Sequence, residues 1–167
     1  MITDNHLRIS GSLTATAAAF TSAGVPSGFP QGDALTGTAV SGDTIDLGVA
    51  KDVAEGTDLY MVFTVTTQLA SSGKSATLIA SAIIDDDPAL GSPTVLVASG
   101  TIAEAALVAG YQIVLKLPPV IGSLGLRYLG ASYTVGTENF TSGNIACDIV
   151  MDIQDGKKFY ADGFDIV

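Results

Sequence analysis

The chain of 167 residues is 47% hydrophobic but only 14% charged, and its formal net charge at pH 7 is −10. This length fits one domain with a sizeable core, and the single cysteine excludes an intramolecular disulfide framework. The acidic balance argues against nucleic-acid binding, which needs basic side chains to displace counterions, and against binding to anionic membrane surfaces.

The shortage of charge is itself informative, because typical soluble domains are roughly 25% charged. Ser, Thr and 19 glycines supply the polarity instead. Hydroxyl groups cost less to desolvate than ions, so such a surface favours close contact with other proteins. Composition leaves a second interpretation open, an acidic β-domain with an ordinary Ser/Thr surface.

The N-terminal quarter is dominated by Ala, Thr, Ser and Gly. It has no basic stretch followed by a compact apolar run, so we expect no secretion signal. Gly, Ser, Thr and Pro interrupt the uncharged runs of the chain well short of a membrane span, so we expect no such span and synthesis in a cytoplasm. We predict that residues 1–43 form an N-terminal arm or loop region and that residues 44–167 form the folded domain. The segment is either a mobile loop or an arm that becomes ordered against a neighbour, and we favour the arm.

From Thr44 onward, apolar and polar residues alternate in the manner of β-strands. The first strand begins at Ile45 and includes Leu47 and Val49. Further strands are predicted at residues 59–67, 76–84, 94–98 and 111–117, with a loop at 68–74. Residues 102–108 are ambiguous between a strand and a helical turn.

The stretch 127–153 predicts two long strands joined by a polar turn at residues 136–143, which together form a hairpin. One face of its first strand carries Leu129, Ala131, Tyr133 and Val135. One face of its second strand carries Ile145, Cys147, Ile149, Met151 and Ile153. This alternation predicts that Cys147 is a small core residue.

No segment shows clear amphipathic helical periodicity. The pattern therefore predicts an all-β fold, an antiparallel jelly-roll β-sandwich of about eight strands with an extended N-terminal arm. An immunoglobulin-like sandwich is the second choice, because the chain lacks the Trp and the Cys pair typical of that fold.

Two patterns that could hold a ligand are better explained as turns. Residues 72–75, SGKS, resemble the end of a phosphate-binding loop, but Gln68 stands where that motif needs glycine and a strand is predicted where it needs a helix. We interpret them as a hairpin turn. Residues 85–88, DDDP, could gather carboxylates for Ca²⁺, but their spacing is not that of an EF-hand and suits a turn.

No catalytic pattern stands out either. His6 is the only histidine, and it lies in the terminal segment, so a serine or cysteine triad has no positioned base. The three glutamates Glu55, Glu104 and Glu138 could form a carboxylate pair only if the fold brought two of them together. We therefore predict no catalytic residue, no metal site, no cofactor and no enzymatic activity.

Residues 157–164 form the densest basic and aromatic cluster of the chain. Such side chains could anchor the protein to a partner, or they could dock on its own sandwich as a last edge strand. With apolar residues of the arm, they make up the candidate capsid or self-contact residues. These are Leu13, Phe20, Phe29, Lys157, Lys158, Phe159, Tyr160 and Phe164.

From Ile45 to the C-terminus the chain resembles the small jelly-roll cement, or decoration, proteins of tailed bacteriophage capsids. The motifs that carry the resemblance, in chain order, are IDLG at 45–48, LYMV at 59–62, LVAGY at 107–111, RYLG at 127–130, NFTSG at 139–143, DIQD at 152–155 and YADGF at 160–164. Residues 9–43 look longer than that family would suggest.

The resemblance implies a homo-oligomer, dimer or trimer, that sits on the outer surface of the virion and bridges subunits of the major capsid protein. It implies no catalytic residues. The alternative function is a carbohydrate- or receptor-binding β-sandwich module of a phage tail or fibre, which a concave aromatic and acidic patch would favour. An enzyme is a third alternative, which a carboxylate pair in a deep cleft would favour.

Overall fold

The computed structural model describes residues 8–10, 33–53 and 56–151. These residues form eleven β-strands and two short 3₁₀ turns, at Glu104–Ala106 and Gly122–Leu124. The strands are β1 (Arg8–Ser10), β2 (Asp33–Ala34), β3 (Ala39–Val40), β4 (Ile45–Asp46), β5 (Tyr60–Ala70), β6 (Thr77–Asp85), β7 (Thr94–Ala98), β8 (Ile102–Ala103), β9 (Gln112–Lys116), β10 (Tyr128–Gly136) and β11 (Ser142–Val150).

Two antiparallel sheets form a β-sandwich. The first sheet has the order β1-β11-β5-β9, and β2 also pairs with β11. The second has the order β3-β10-β6-β7, with β4 also on β10 and β8 also on β6. The all-β sandwich predicted from the alternation is therefore confirmed.

The topology is that of a jelly roll. Because β3 and β4 both pair with β10, they occupy one interrupted strand position. If the two-residue strands β2 and β8 are set aside, eight strand positions remain. Numbered 1 to 8 along the chain, they give the order 1-8-3-6 in the first sheet and 2-7-4-5 in the second. This nesting of early strands beside late ones is the double Greek key that defines the fold.

The predicted hairpin at 127–153 is wrong. Both strands exist, but β10 pairs with β6 and β11 pairs with β5, so they belong to different sheets. Residues 137–141 cross from one sheet to the other, and five residues readily span the roughly 10 Å between packed sheets. Alternation reveals which face of a strand is buried, and both sheets bury their inner faces in the same core, so the pattern cannot distinguish the two arrangements.

Three smaller predictions also differ. Residues 68–70 continue β5 rather than forming a loop, because Leu69 points into the core and is fully buried. Conversely, β4 ends at Asp46 and Val49 is exposed. Met151 lies beyond the end of β11 with 68% of its surface exposed, and Ile153 lies outside the described residues. The ambiguous segment 102–108 contains both β8 and a 3₁₀ turn.

The core lies between the sheets and is built from the inner faces of the long strands. Phe63 of β5 packs against Tyr133 of β10 edge to face, with ring centroids 5.7 Å apart. The Tyr133 hydroxyl donates to Ser10 Oγ of β1 at 2.7 Å, which joins the two sheets by a buried hydrogen bond. Cys147 is buried in this core, as predicted.

Parts of the predicted arm region 1–43 belong to the sandwich. Strand β1 pairs with β11, and Ile9 is fully buried in the core. Strands β2 and β3 pair with β11 and β10, and Leu35 between them is buried. Residues 1–7 and 11–32 lie outside the described residues, so their role as an arm stays a prediction.

The outer face of the second sheet is covered by its own β6–β7 connection. Leu90 of that connection has a positive φ of 53° and is 3% exposed. It lies on Gly130 of β10: a Cβ added to Gly130 would fall 2.4 Å from Leu90 Cδ1. Glycine is needed at position 130 because any larger residue would displace Leu90.

Candidate functional site

All eight predicted contact residues lie outside the described part of the chain, as does His6. They are Leu13, Phe20, Phe29, Lys157, Lys158, Phe159, Tyr160 and Phe164. Their role in capsid or self contact stays a prediction. The features below come from the described residues, and they lie at opposite ends of the sandwich.

At one end, the SGKS motif forms the connection between β5 and β6. It is not the hairpin turn that the sequence suggested, because β5 and β6 belong to different sheets. A strand follows it, as predicted, so the helix that a phosphate-binding loop requires is absent from this described segment. Lys74 adopts a positive φ of 57°, and the amides of Gly73 and Ser75 on either side donate to the Glu138 carboxylate at 3.0 and 2.8 Å.

Glu138 forms the centre of a carboxylate cluster at this end. Its Oε1 also accepts hydrogen bonds from Ser71 Oγ at 2.6 Å and from Ser75 Oγ at 3.0 Å. On its other side, Ser71 Oγ is hydrogen-bonded to Oε2 of Glu104, the buried first residue of the 3₁₀ turn. The fold therefore brings together two of the three glutamates, which the sequence had left undecided.

The electrostatics of Glu138 suit a structural role better than acid–base chemistry. The hydroxyl of Ser71, followed by the donors of Ser75 and Gly73, lowers its pKa from 4.5 to about 2. General acid–base catalysis favours a pKa near the working pH, and Glu138 would be ionised throughout the neutral range. The hydrogen bonds occupy its oxygens and join residues 71–75 to residues 137–141.

The acidic run at 85–88 uses its carboxylate in the same way. Asp85 is buried, and it accepts hydrogen bonds from the backbone N–H groups of Ser92 at 2.9 Å and Asp86 at 2.8 Å. These hydrogen bonds lower the pKa of Asp85, and the one from Ser92 has the largest effect. Asp85 fastens the connection that carries Leu90, as the turn interpretation predicted. In the described ranges no group of three His, Cys, Asp or Glu side chains could hold a metal ion.

At the opposite end, exposed apolar side chains collect on the loops. Val49 and Val120 are 65% and 62% exposed, and Leu124 is 45% exposed. Met151 lies at this end too, because Val150 pairs with Tyr60 and Tyr60 pairs with Lys116, from which the loop to Val120 leaves. We call Val49, Val120, Leu124 and Met151 the apolar end.

The two loops of the apolar end are packed on each other. The N–H of Gly122 donates to Asp52 Oδ1 at 2.7 Å, and a Cβ at Gly122 would lie 2.8 Å from the carbonyl carbon of Lys51. Beneath them, Leu47 and Ile121 are buried with Ile84 in a second small core cluster. The loops that carry Val49, Val120 and Leu124 are therefore held in place by contacts with each other and with this buried cluster.

Ion pairs border the apolar end. Arg127 forms a two-pronged pair with Asp46 at 2.5 and 2.6 Å and lies 5.1 Å from the ring centre of Tyr128. The hydrogen bond from Arg127 lowers the pKa of Asp46 to about 2. Lys116 pairs with Asp58 at 2.8 Å. Both of these cations are therefore paired with a carboxylate, whereas Lys51, on the loop that carries Val49, is exposed.

The residues of the apolar end were missed as candidates. For Val120 and Leu124 the signal available in the sequence was their place outside the alternating strands, next to Gly and Pro, in PPV at 118–120 and GSLG at 122–125. Val49 and Met151 were instead assigned to strands. Isolated exposed apolar residues are ordinary, however, and only the fold shows that these four share one end.

Comparison with known proteins identifies the family. None of the helical turns in the described part of the chain has the length and apolarity needed to span a bilayer. A search of curated proteins found no match. A family model named Bbp16, a name of the kind given to phage proteins, matches residues 29–149, well over half of the chain. The protein therefore belongs to the Bbp16 family.

Proposed function

We propose that this protein is a capsid cement, or decoration, protein that binds the outside of an assembled phage head and bridges subunits of the major capsid protein. Three findings support the proposal. The chain resembles such proteins from Ile45 onward, it has the jelly-roll sandwich that the resemblance implies, and it belongs to a phage-type family.

The observation that carries the proposal is the apolar end. Four large apolar side chains are exposed at one end of the sandwich, in a chain that is only 14% charged. Contact with another protein would remove them from water, worth about 25 cal/mol per Å² of apolar surface. The neighbouring Asp46–Arg127 and Asp58–Lys116 pairs are exposed and could form the polar rim of such a contact.

A cement protein acts by mass action. It binds the assembled shell better than the separate subunits, so its binding energy stabilises the assembled state. Each copy needs only a modest interface, because self-association into a dimer or trimer presents several apolar ends to a symmetric shell at once. In this proposal the partners are the major capsid protein and further copies of the chain, with no cofactor, nucleic acid or membrane, and the location is the outer surface of the virion.

The direct test is co-sedimentation with heads that lack the protein. We expect the wild-type protein to bind, and Val120→Asp to bind at least about tenfold more weakly, because it would place an unpaired charge in the contact. Val108→Asp is the matched control: Val108 is 45% exposed and lies at the opposite end of the sandwich, so this variant should bind like the wild type.

The outcomes separate two parts of the proposal. Equal binding of the wild type and the Val120 variant would exclude the apolar end as the contact. Failure of the wild type to bind any head would refute the cement function itself. Heads without the protein should also break or release DNA at a lower temperature than heads that carry it, and equal stability would contradict the proposal.

A further inference from the structure

One outer edge of the second sheet is an open strand. Strand β7 pairs with β6 on one side, and no strand of the described chain pairs with its other side. The N–H of Ser99 donates to Ala80 O of β6 at 2.8 Å, so the N–H and C=O of the preceding residue, Ala98, point away from β6. This edge therefore offers backbone donors and acceptors to a further strand.

The β7 edge also lacks the charges that keep other sheet edges apart. Proteins protect exposed edges with charged side chains, proline or very short strands. Strand β1 carries Arg8, β9 ends at Lys116 and β3 has two residues. Residues 88–103, which include β7, have no charged side chain, and Pro93 stands just before the strand rather than within it. Among the edges of the described sandwich β7 is the longest without a charge, although one register shift limits how many of its residues can pair.

The side chains of β7 divide between the core and the solvent. Leu96 and Val97 pack against the core, whereas Val95, opposite Ile83 on the outer face, is 57% exposed. The exposed side chains at both ends of the strand are uncharged too. A neighbouring strand can therefore approach β7 without removing water from an ion.

A second copy of the chain fits this edge, because a two-fold contact matches a strand to itself. In an antiparallel pair each β7 donates to carbonyl groups of the other, so one surface serves both partners. Each copy has a net charge of −10, so most contacts between copies bring like charges together. The uncharged segment 88–103 avoids that repulsion. The contact is also closed, because it uses the open β7 edge of both copies.

We infer that two copies pair antiparallel through β7 and form a two-fold dimer in which the second sheet continues from one copy into the other. This pairing rests on the self-association included in the proposed function, and it gives a dimer rather than a trimer. Strand β7 begins opposite Ile84, which packs beneath the apolar end. Antiparallel pairing turns the two apolar ends in opposite directions, so one dimer can contact two neighbouring capsid subunits.

Sedimentation velocity of the protein alone, from about 1 µM to about 100 µM, tests the dimer without heads. A pairing of five-residue strands is small, so we expect a reversible dimer that dissociates on dilution within this range. A chain that stays monomeric throughout would overturn the inference, and head binding would still be judged by co-sedimentation. A dimer that binds no head would support the pairing and refute the cement function.

Val95→Lys and Val40→Lys are a matched pair of variants. Both valines are exposed and lie on edge strands of the second sheet, Val95 on β7 and Val40 on β3 at the opposite edge. Each substitution adds one positive charge to an acidic chain, so general repulsion between copies falls equally. Val95→Lys places two ammonium groups close to the two-fold axis and should weaken the dimer at least about tenfold. Val40→Lys should dimerise like the wild type. An unchanged dimer in the first variant, or the same loss in the second, would overturn the assignment to β7.

Amide hydrogen exchange of the wild type reports on the edge itself. The Ser99 N–H, which is bonded within the chain, should be protected at every protein concentration. The Ala98 N–H should exchange quickly in dilute protein and slow down as the dimer forms, because it then donates to the second copy. Exchange at Ala98 that does not depend on concentration, in protein shown to be dimeric, would contradict pairing through β7.

Discussion

Gly130 and Leu90 provide the sharpest test of how the outer face of the second sheet is packed. Gly130→Ala places a Cβ 2.4 Å from Leu90 Cδ1 and 3.1 Å from Ser41 Oγ. Overpacking of this kind lowers the free energy of unfolding by about 1–3 kcal/mol. Replacing glycine by alanine also reduces the entropy of the unfolded chain, which raises the free energy of unfolding by about 0.4–1 kcal/mol. We therefore expect Gly130→Ala to lower the free energy of unfolding by about 1–2 kcal/mol.

Leu90→Ala removes the side chain that the new methyl group would strike. Leu90 is 3% exposed, so its truncation should cost about 2–3 kcal/mol, near the lower end for buried leucines because the site lies close to the surface. In this background, Gly130→Ala should be nearly neutral, since only the Ser41 contact remains. The double variant should therefore be about 1–2 kcal/mol more stable than the two single effects predict when added.

Urea denaturation of the four proteins at one pH measures this coupling as a double-mutant cycle. Gly100→Ala is the control for the substitution itself, because an added Cβ meets nothing within 4 Å there and φ is not positive. It should leave stability unchanged or raise it slightly. If the two single effects add within about 0.5 kcal/mol, Leu90 does not cover Gly130 and the packing argument is refuted.

Two further predictions concern the hydrogen bonds of the sandwich. Because the pKa of Glu138 is lowered from 4.5 to about 2, the stability due to its ionised form is complete above its ordinary value and is lost as the pH falls through this range. The difference in melting temperature between wild type and Glu138→Gln should therefore shrink from pH 4.5 to 2, and a constant difference would contradict the assignment. Tyr133→Phe should lower the free energy of unfolding by about 1–2 kcal/mol in urea, because the buried hydroxyl that donates to Ser10 is lost. Tyr128→Phe, whose half-exposed ring lies beside Arg127, should have little effect, and equal losses would refute the buried bond.

The long strands and their faces could be predicted from the sequence, since each depends on neighbouring residues. Met61, Phe63 and Val65 share the predicted inner face of β5 and all three are buried, although Val62 on the other face is buried too. Strand ends were less accurate, as at Leu69 and Val49, because alternation does not show where a strand leaves the core. The jelly roll itself followed from the number of strands and from the resemblance, not from any pattern that specifies pairing.

The carboxylate cluster and the apolar end could not be predicted, because their members are distant in sequence. Ser71 is 33 residues from Glu104 and 67 from Glu138. The motif at 72–75 did attract attention, but as a phosphate-binding loop. The structure shows that the oxygens received by its amides are those of the protein's own Glu138.

The sequence by itself determined that the chain is all-β and which face of each long strand lines the core, because side chains of successive residues point to opposite faces of a strand. It did not show that Val62, Ile83 and Ala146 on the opposite faces are buried as well. Only the tertiary structure decided which strands are neighbours. Strands β10 and β11 follow each other along the chain and were expected to pair, yet they lie in opposite sheets. Both arrangements bury the same faces in the same core. The choice between them depends on long-range backbone hydrogen bonds, which leave no local signature in the sequence.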